Sequence, residues 1–229
     1  MTSNFQKSMA VGLTIFSNYA FASTLSTQPT HSHYNNFYIG ADIGAASLMD
    51  KESTNIPIRD IHNLSAAGIV GGGLIGYDFT LHDPWKLGLE GFMNATDLNL
   101  STNQNYAPSA SYKVNMHYNL GLRMLPGYEF TAGTVVHAIL GYSYGSFHVK
   151  DNGDYGIINT QFSKSGFQCG LGMKTPVYKT LSIRGDVIYT AYLSQNSSGL
   201  TTSTPASTQI YYNNLSALEG DLSLIYKFS

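Results

Sequence analysis

The chain has 229 residues, of which 11 % are charged, whereas a soluble globular domain usually has about 25 %. Its formal net charge is −2 and it has no run of Lys or Arg, so nothing indicates nucleic-acid binding. Hydrophobic residues make up 43 %, but no apolar run approaches the roughly 20 residues that a membrane-spanning helix needs. The single cysteine, Cys169, excludes an intrachain disulfide.

The first 22 residues have the parts of a secretory signal peptide. Lys7 supplies a positive charge, residues 9–16 (MAVGLTIF) supply a short apolar core, and Ala20-Phe21-Ala22 supplies the small residues that signal peptidase requires. We therefore predict a signal peptide over residues 1–22, cleaved after Ala22, and a flexible polar lead-in over residues 23–36. His31 and His33 lie in this lead-in, where a solvated histidine is more common than a metal ligand, so no metal site is predicted.

Apolar and polar residues then alternate in eight successive runs, which is typical of strands with two different faces. The clearest run covers residues 112–124, where Tyr, Val, Met and Leu at even positions alternate with mostly polar residues at odd positions. A helix would scatter both sets around its circumference, so the pattern predicts a strand. The fifth run is weaker, because Ile139 falls on its polar side. The other seven runs cover residues 37–45, 69–79, 85–94, 136–144, 167–174, 181–189 and 218–228.

The connections between these runs alternate in length. Short ones are predicted at about 80–84, 125–134 and 175–180, and long ones at about 48–65, 95–110, 148–163 and 192–214. An up-and-down barrel in an outer membrane has tight periplasmic turns and long external loops. The sequence therefore predicts an all-β fold, an eight-stranded antiparallel up-and-down transmembrane β-barrel over residues 37–228.

Periodicity does not say which face points outward, since a soluble lipocalin-like barrel would keep its apolar face inside. The polar face here is rich in Gly and balanced in charge, which suits a closed lumen where each buried charge needs a partner. We predict a structural charge network in that lumen. Its acids are Asp42, Asp78, Glu90, Asp186, Glu219 and Asp221, and its bases are Lys86, Lys113, Arg123, Lys174, Arg184 and Lys227.

Hairpin registers and aromatic positions add two further expectations. Counting across the connections places Lys86 near Asp78 and Arg184 near Asp221. Tyr, Trp and Phe collect at both ends of the runs, as expected of rings at the two membrane interfaces. The set near the short connections is Tyr77, Phe79, Trp85, Tyr226 and Phe228, and the set near the long ones is Tyr112, Tyr142, Tyr144, Tyr189 and Tyr192.

Five segments, taken in order, resemble the small outer-membrane barrels of the opacity-protein and outer-membrane-protein-A type. They are FYIGADIGAAS, GGGLIGYDF, WKLGLEGF, KVNMHYNLGLRM and the last strand GDLSLIYKF. The resemblance implies a location in the bacterial outer membrane among its lipid and lipopolysaccharide, and the last strand resembles the signal read by the barrel-assembly machinery. It also implies a surface antigen or adhesin. The long connections are rich in hydroxyl and amide groups, which fits hydrogen bonding to a host surface protein or glycan.

Eight strands enclose an interior just wide enough for side chains to fill, so we predict that the charges and Tyr38 close it. Function would then lie in the external loops or in support of the membrane, with no catalysis and no cofactor. Three alternatives stay open: a lipid A-modifying enzyme, a narrow solute channel and a soluble periplasmic lipocalin-like carrier. The enzyme needs a Ser-His pair with an orienting acid at the lipid boundary, and its candidates are His117 and His137, both expected in the lumen, and His148.

Overall fold

The computed structural model describes residues 36–51, 63–103, 111–130, 133–153, 156–193 and 215–228. They form a closed antiparallel barrel in which each strand pairs with its neighbours in the chain and the last strand pairs with the first. The predicted eight-stranded all-β fold is confirmed. The predicted signal peptide and lead-in lie outside the described residues, as do His31 and His33. The strands are β1 Asn36–Lys51, β2 Asn63–His82, β3 Trp85–Asn103, β4 Ser111–Glu129, β5 Val135–Gly153, β6 Gly156–Pro176, β7 Leu181–Tyr192 and β8 Leu215–Lys227.

Large apolar side chains cover the outer wall of the barrel. Leu122 is 71 % exposed and Leu171 is 66 % exposed, whereas polar and charged side chains of the same strands are buried inside. On β2 the apolar band runs over residues 69–79, and on β4 over residues 118–128, which matches the roughly 9–11 residues that a tilted strand needs to cross a bilayer. The lipocalin-like carrier, which requires the apolar face inside, is therefore wrong for this protein.

Aromatic side chains lie at both borders of this band. At the border near the short connections Trp85 packs edge to face against Tyr128, with ring centroids 5.4 Å apart. At the opposite border Tyr142 packs against Phe167, with centroids 5.7 Å apart. Amphipathic rings prefer these interfaces because one part of the ring is apolar and another part can hydrogen-bond. The prediction was wrong for Tyr192, which points into the barrel and is buried.

The strands extend well beyond the band on the side of the long connections. β2 has 20 residues and β6 has 21, about twice the length that the bilayer requires. The long connection predicted over residues 148–163 is wrong, because β5 and β6 stay paired until Gly153 faces Gly156. Polar Ser, Thr and Asn residues were interpreted as a loop, but they also suit a strand whose outer side faces water.

A β-bulge on β4 interrupts the alternation predicted from the sequence. The register of β4 against β5 shifts between Met116 and Tyr118, and the register of β3 against β4 shifts between Ala95 and Leu98. Met116 consequently points inward and is buried, while His117 points outward and is exposed. The predicted lumen position of His117 is therefore wrong, because the bulge reverses the faces of β4 at this level.

The cost of a charge on the outer wall should depend on its position across the apolar band. Replacing Leu122, at the middle of the band on β4, with Lys will destabilise the barrel by about 2–4 kcal/mol, because a charge is costly at the centre of a bilayer. The matched replacement Leu81→Lys, near the short connection, will cost only about 0–1 kcal/mol. Urea titration of the folded protein in lipid vesicles measures both. Equal costs at the two positions would contradict the placement of the band.

Candidate functional site: the barrel lumen

The centre of the lumen is organised around Glu90 of β3 and Arg184 of β7. Arg184 is 1 % exposed and donates to both carboxylate oxygens of Glu90, over 2.6 and 3.1 Å. Its Nε lies 2.8 Å from Oδ2 of Asp186, an ionic contact outside hydrogen-bond geometry. The hydroxyl of Tyr38 donates to Oε2 of Glu90 over 3.1 Å. These contacts join β1, β3 and β7 across the interior, so that the carboxylate has partners in place of water.

Arg123 of β4 adds a second cation to this centre. Its Nη1 lies 3.8 Å from Glu90, and its Nε donates to Oε1 of Gln168 over 3.0 Å. Its guanidinium also lies over the ring of Phe92, 3.7 Å from the centroid, as in a cation–π contact. The side chain therefore links β4 to β3 and β6 through charge, hydrogen bonding and stacking at once.

His137 lies in the lumen beside Asp186, with its Nε2 3.1 Å from Oδ1 of that carboxylate. Both residues are buried. Gly172 faces them from β6, and a Cβ at that position would collide with the Asp186 carboxylate. The glycine therefore leaves the space that the His137–Asp186 pair occupies.

Lysines and acids lie together at the end of the lumen near the short connections. Lys174 contacts Asp78 over 2.6 Å. Lys86 contacts Asp83 over 2.8 Å and Glu129 over 3.0 Å. Lys227 is buried at the same end.

The sequence analysis placed Lys86 near Asp78 and Arg184 near Asp221, and both predicted registers are wrong. Lys86 lies opposite Thr80, and Arg184 lies opposite Ser223. Each strand pair is displaced by two residues from the predicted register. A displacement of two keeps every side chain on its predicted face, so alternation alone does not detect it.

Three acids of the predicted network lie together towards the other end of the lumen. Asp42 on β1 and Glu219 and Asp221 on β8 are buried. The amide of Asn94 donates to Oε1 of Glu219 over 3.3 Å. The side chains of Lys113 and Tyr112 lie outside the described part of the chain.

An apolar cluster lies beyond these acids, inside the part of the barrel that extends above the band. Phe147 is 0 % exposed, stacks on Phe162 with centroids 5.6 Å apart, and meets Tyr192 edge to face at 5.2 Å. The hydroxyl of Tyr192 lies 3.9 Å from the sulfur of Met116. We call this the apolar cap; its buried members are Ala46, Leu48, Val70, Leu98, Met116, Phe147, Tyr192, Leu215 and Ala217.

Sequence reasoning missed the apolar cap. The sequence does contain an indication of it. Phe147 is a large apolar residue at an odd position of β5, where the alternation places the polar, inward face with Ser143 and Gly145. Ile139 gives the same signal lower down, where it packs with Leu125 and Ile188. Across the described residues, no group of three or more His, Cys, Asp or Glu side chains is placed to hold a metal ion.

An apolar outer band, two aromatic borders and a charged interior in a closed eight-stranded sheet define a small transmembrane β-barrel of the outer membrane. The chain matches the family model described as outer membrane protein beta-barrel domain over residues 11–217, and it belongs to that family. The protein is therefore located in the bacterial outer membrane, and the predicted resemblance to small barrels of this membrane is confirmed. No curated protein sequence matches the chain.

The chain is similar to several solved structures. The outer membrane protein OprG from Pseudomonas aeruginosa is 13 % identical, with a TM-score of 0.50, over 86 % of this chain and 98 % of that one. Neisserial surface protein A is 15 % identical, with a TM-score of 0.45, over 84 % and 97 %. The outer membrane protease OmpT from Escherichia coli is 8 % identical, with a TM-score of 0.47, over 89 % and 100 %. At 13 % identity the likeness to OprG concerns the fold and not the activity.

Proposed function

We propose that the protein is a non-enzymatic surface barrel, an adhesin or surface antigen, whose recognition surface lies above the membrane. The observation that carries this proposal is the filled interior. The Glu90–Arg184–Asp186 contacts cross the lumen at its centre, and the apolar cap occupies the lumen above them. With the interior occupied by side chains, the outer wall and the connections remain as the surface for a partner.

The position of His137 favours this proposal over lipid A chemistry. His137, which pairs with Asp186, lies inside the barrel, away from the acyl chains that such an enzyme would act on. His117 and His148 lie on the outside with their rings next to each other, their centroids 5.8 Å apart. An enzyme of this kind would have to use this outer pair, together with a hydroxyl and an orienting acid.

The part of the chain above the band offers polar groups for recognition. β3 and β4 stay paired until Asn103 faces Ser111, and β5 and β6 until Gly153 faces Gly156. The connecting segments 104–110 and 194–214 are rich in Ser, Thr, Asn and Gln, and segment 52–62 has Ser, Thr and Asn beside Glu, Arg and Asp. Hydroxyl and amide groups of this kind suit hydrogen bonding to a glycan or a host surface protein, which are the partners that we propose.

A replacement series tests the recognition role. Each of the segments 52–62, 104–110 and 194–214 is exchanged for a short Gly-Ser linker, and adhesion of expressing cells to glycan and matrix-protein surfaces is measured. We expect adhesion to fall at least tenfold for one or more exchanges. In the matched control, the same linker replaces residues 177–179, which lie in a short connection at the opposite end of the barrel. This exchange should leave adhesion unchanged. Unchanged adhesion after all three exchanges together would contradict the proposal.

A conductance measurement separates this proposal from the channel. In planar bilayers the purified protein should give no steady single-channel steps, because the apolar cap and the central ion pairs occupy the path. A known open porin, reconstituted in the same bilayers, serves as the sensitivity control. Steady steps from the unmodified protein would instead make it a solute channel.

A further inference from the structure

We propose that His117 and His148 form a binding site for a divalent transition-metal ion such as Zn²⁺ on the outer wall of the barrel. The site is independent of the recognition role. It consists of two imidazoles on adjacent strands, β4 and β5, at the level where the apolar band ends.

The β-bulge creates the site. His117 is the extra residue of β4 between Met116 and Tyr118, and its ring points away from the barrel. The hydroxyl of Thr96 on β3 donates to the carbonyl oxygen of Met116 over 2.6 Å, which holds the irregular backbone in place. Bulges commonly re-aim a side chain, and here the re-aimed side chain is a metal-binding type.

The two rings have the spacing that a shared metal ion needs. Their centroids lie 5.8 Å apart and their planes meet at 74°. With Zn–N bonds of about 2.0–2.1 Å in tetrahedral geometry, two imidazoles on one ion have their centroids roughly 5–6 Å apart. The pair therefore needs little rearrangement of the backbone to accept an ion, and imidazole nitrogen is a preferred ligand of Zn²⁺, Cu²⁺ and Ni²⁺.

The surroundings are accessible and favour a cation. Below the pair the outward positions are the apolar Leu120 and Tyr144, and beside it Gln161 of β6 is exposed, so the site lies at the border between lipid and water. The exposed acid Asp97 lies on β3 beside the bulge and adds a negative charge to this part of the wall. Since no described group of three ligating residues surrounds the pair, water would complete the coordination shell.

Calorimetric titration of ZnCl₂ into the full-length protein, folded in detergent and lacking an affinity tag, tests the site. We expect one Zn²⁺ equivalent to be lost in His117→Ala and the same equivalent to be lost in His148→Ala. His82→Asn changes another exposed histidine, at the far end of β2, and should keep the full stoichiometry. Gel mobility of unboiled samples verifies that each variant is folded.

Cu²⁺ electron paramagnetic resonance supplies a second readout. In a background with His31, His33, His62 and His82 replaced by Asn, the spectrum should show two nitrogen ligands, and each single variant should show at most one. Stoichiometry that survives either replacement, or a spectrum without nitrogen coupling in the folded protein, would overturn the proposal.

Discussion

Replacing Arg184 with Met will lower the free energy of unfolding by about 3–5 kcal/mol, the usual cost of removing one partner from a buried ion pair. The reason is the position of its partners. Glu90 is buried and receives two hydrogen bonds from the guanidinium, and Asp186 is buried 2.8 Å from Nε. Without the cation, two carboxylates are left close together in a space that water barely reaches. Unfolding in urea, followed by the fluorescence of the single tryptophan, Trp85, measures the loss.

Two further variants identify the cause. The double variant Arg184→Met/Glu90→Gln also removes the charge of one of the two carboxylates that lost their cation, and it should recover part of the lost stability. Lys86→Met is the matched control, since Lys86 is buried but its partners Asp83 and Glu129 are 75 % and 19 % exposed, so both reach water when the lysine is removed. A loss for Lys86→Met as large as that for Arg184→Met would mean that burial of the aliphatic stem, and not the ion pair, is responsible.

Replacing Phe147 with Ala will also cost about 3–5 kcal/mol, because a fully buried aromatic side chain is removed and a cavity remains. Phe147 contacts both Phe162 and Tyr192, so its loss loosens β5, β6 and β7 above the membrane band. Phe147→Leu restores part of the volume and should cost much less.

Phe167→Ala is the control for this second prediction. Phe167 lies on the same sheet but faces outward and is 59 % exposed, so lipid fills the space that its ring vacates. Urea titration of the three variants in the same vesicles gives the comparison. If Phe167→Ala destabilises the protein more than Phe147→Ala, the part of the barrel above the band has no packed interior of its own.

The alternation of residues was sufficient to predict eight strands and the face on which each side chain lies within the membrane. Within the membrane the outside of every strand faces lipid, so apolar side chains point outward and polar ones inward along each run. Leu122, which is exposed, and its neighbour Arg123, which is buried, are an example. Pairing partners were not predictable in the same way. A register that slips by two residues preserves both faces, which is why Lys86 and Arg184 were assigned the wrong neighbours.

The bulge at His117 was not predictable because neither Gly nor Pro marks it in the sequence. Its physical reason is the change of medium. Tyr118 faces the band, but above it the outside of the barrel is aqueous, so the apolar side chain of Met116 is better placed inside. One extra residue in β4 reverses the faces there and brings Met116 into the apolar cap. The same change of medium explains why Phe147, in the polar phase of β5, is part of a hydrophobic cluster.

The apolar face of the barrel points outward into lipid, and the single cysteine allows a direct measurement of this orientation. Cys169 points outward on β6 between Leu140 and Tyr189, in the lipid-facing band. The unfolded chain is labelled at this thiol with bimane and folded into vesicles, and its fluorescence is measured with doxyl lipids and with aqueous iodide. The structure predicts strong quenching by the doxyl lipids and almost none by iodide. Quenching by iodide alone would place Cys169 in water or in an open lumen, and the barrel described here would be contradicted.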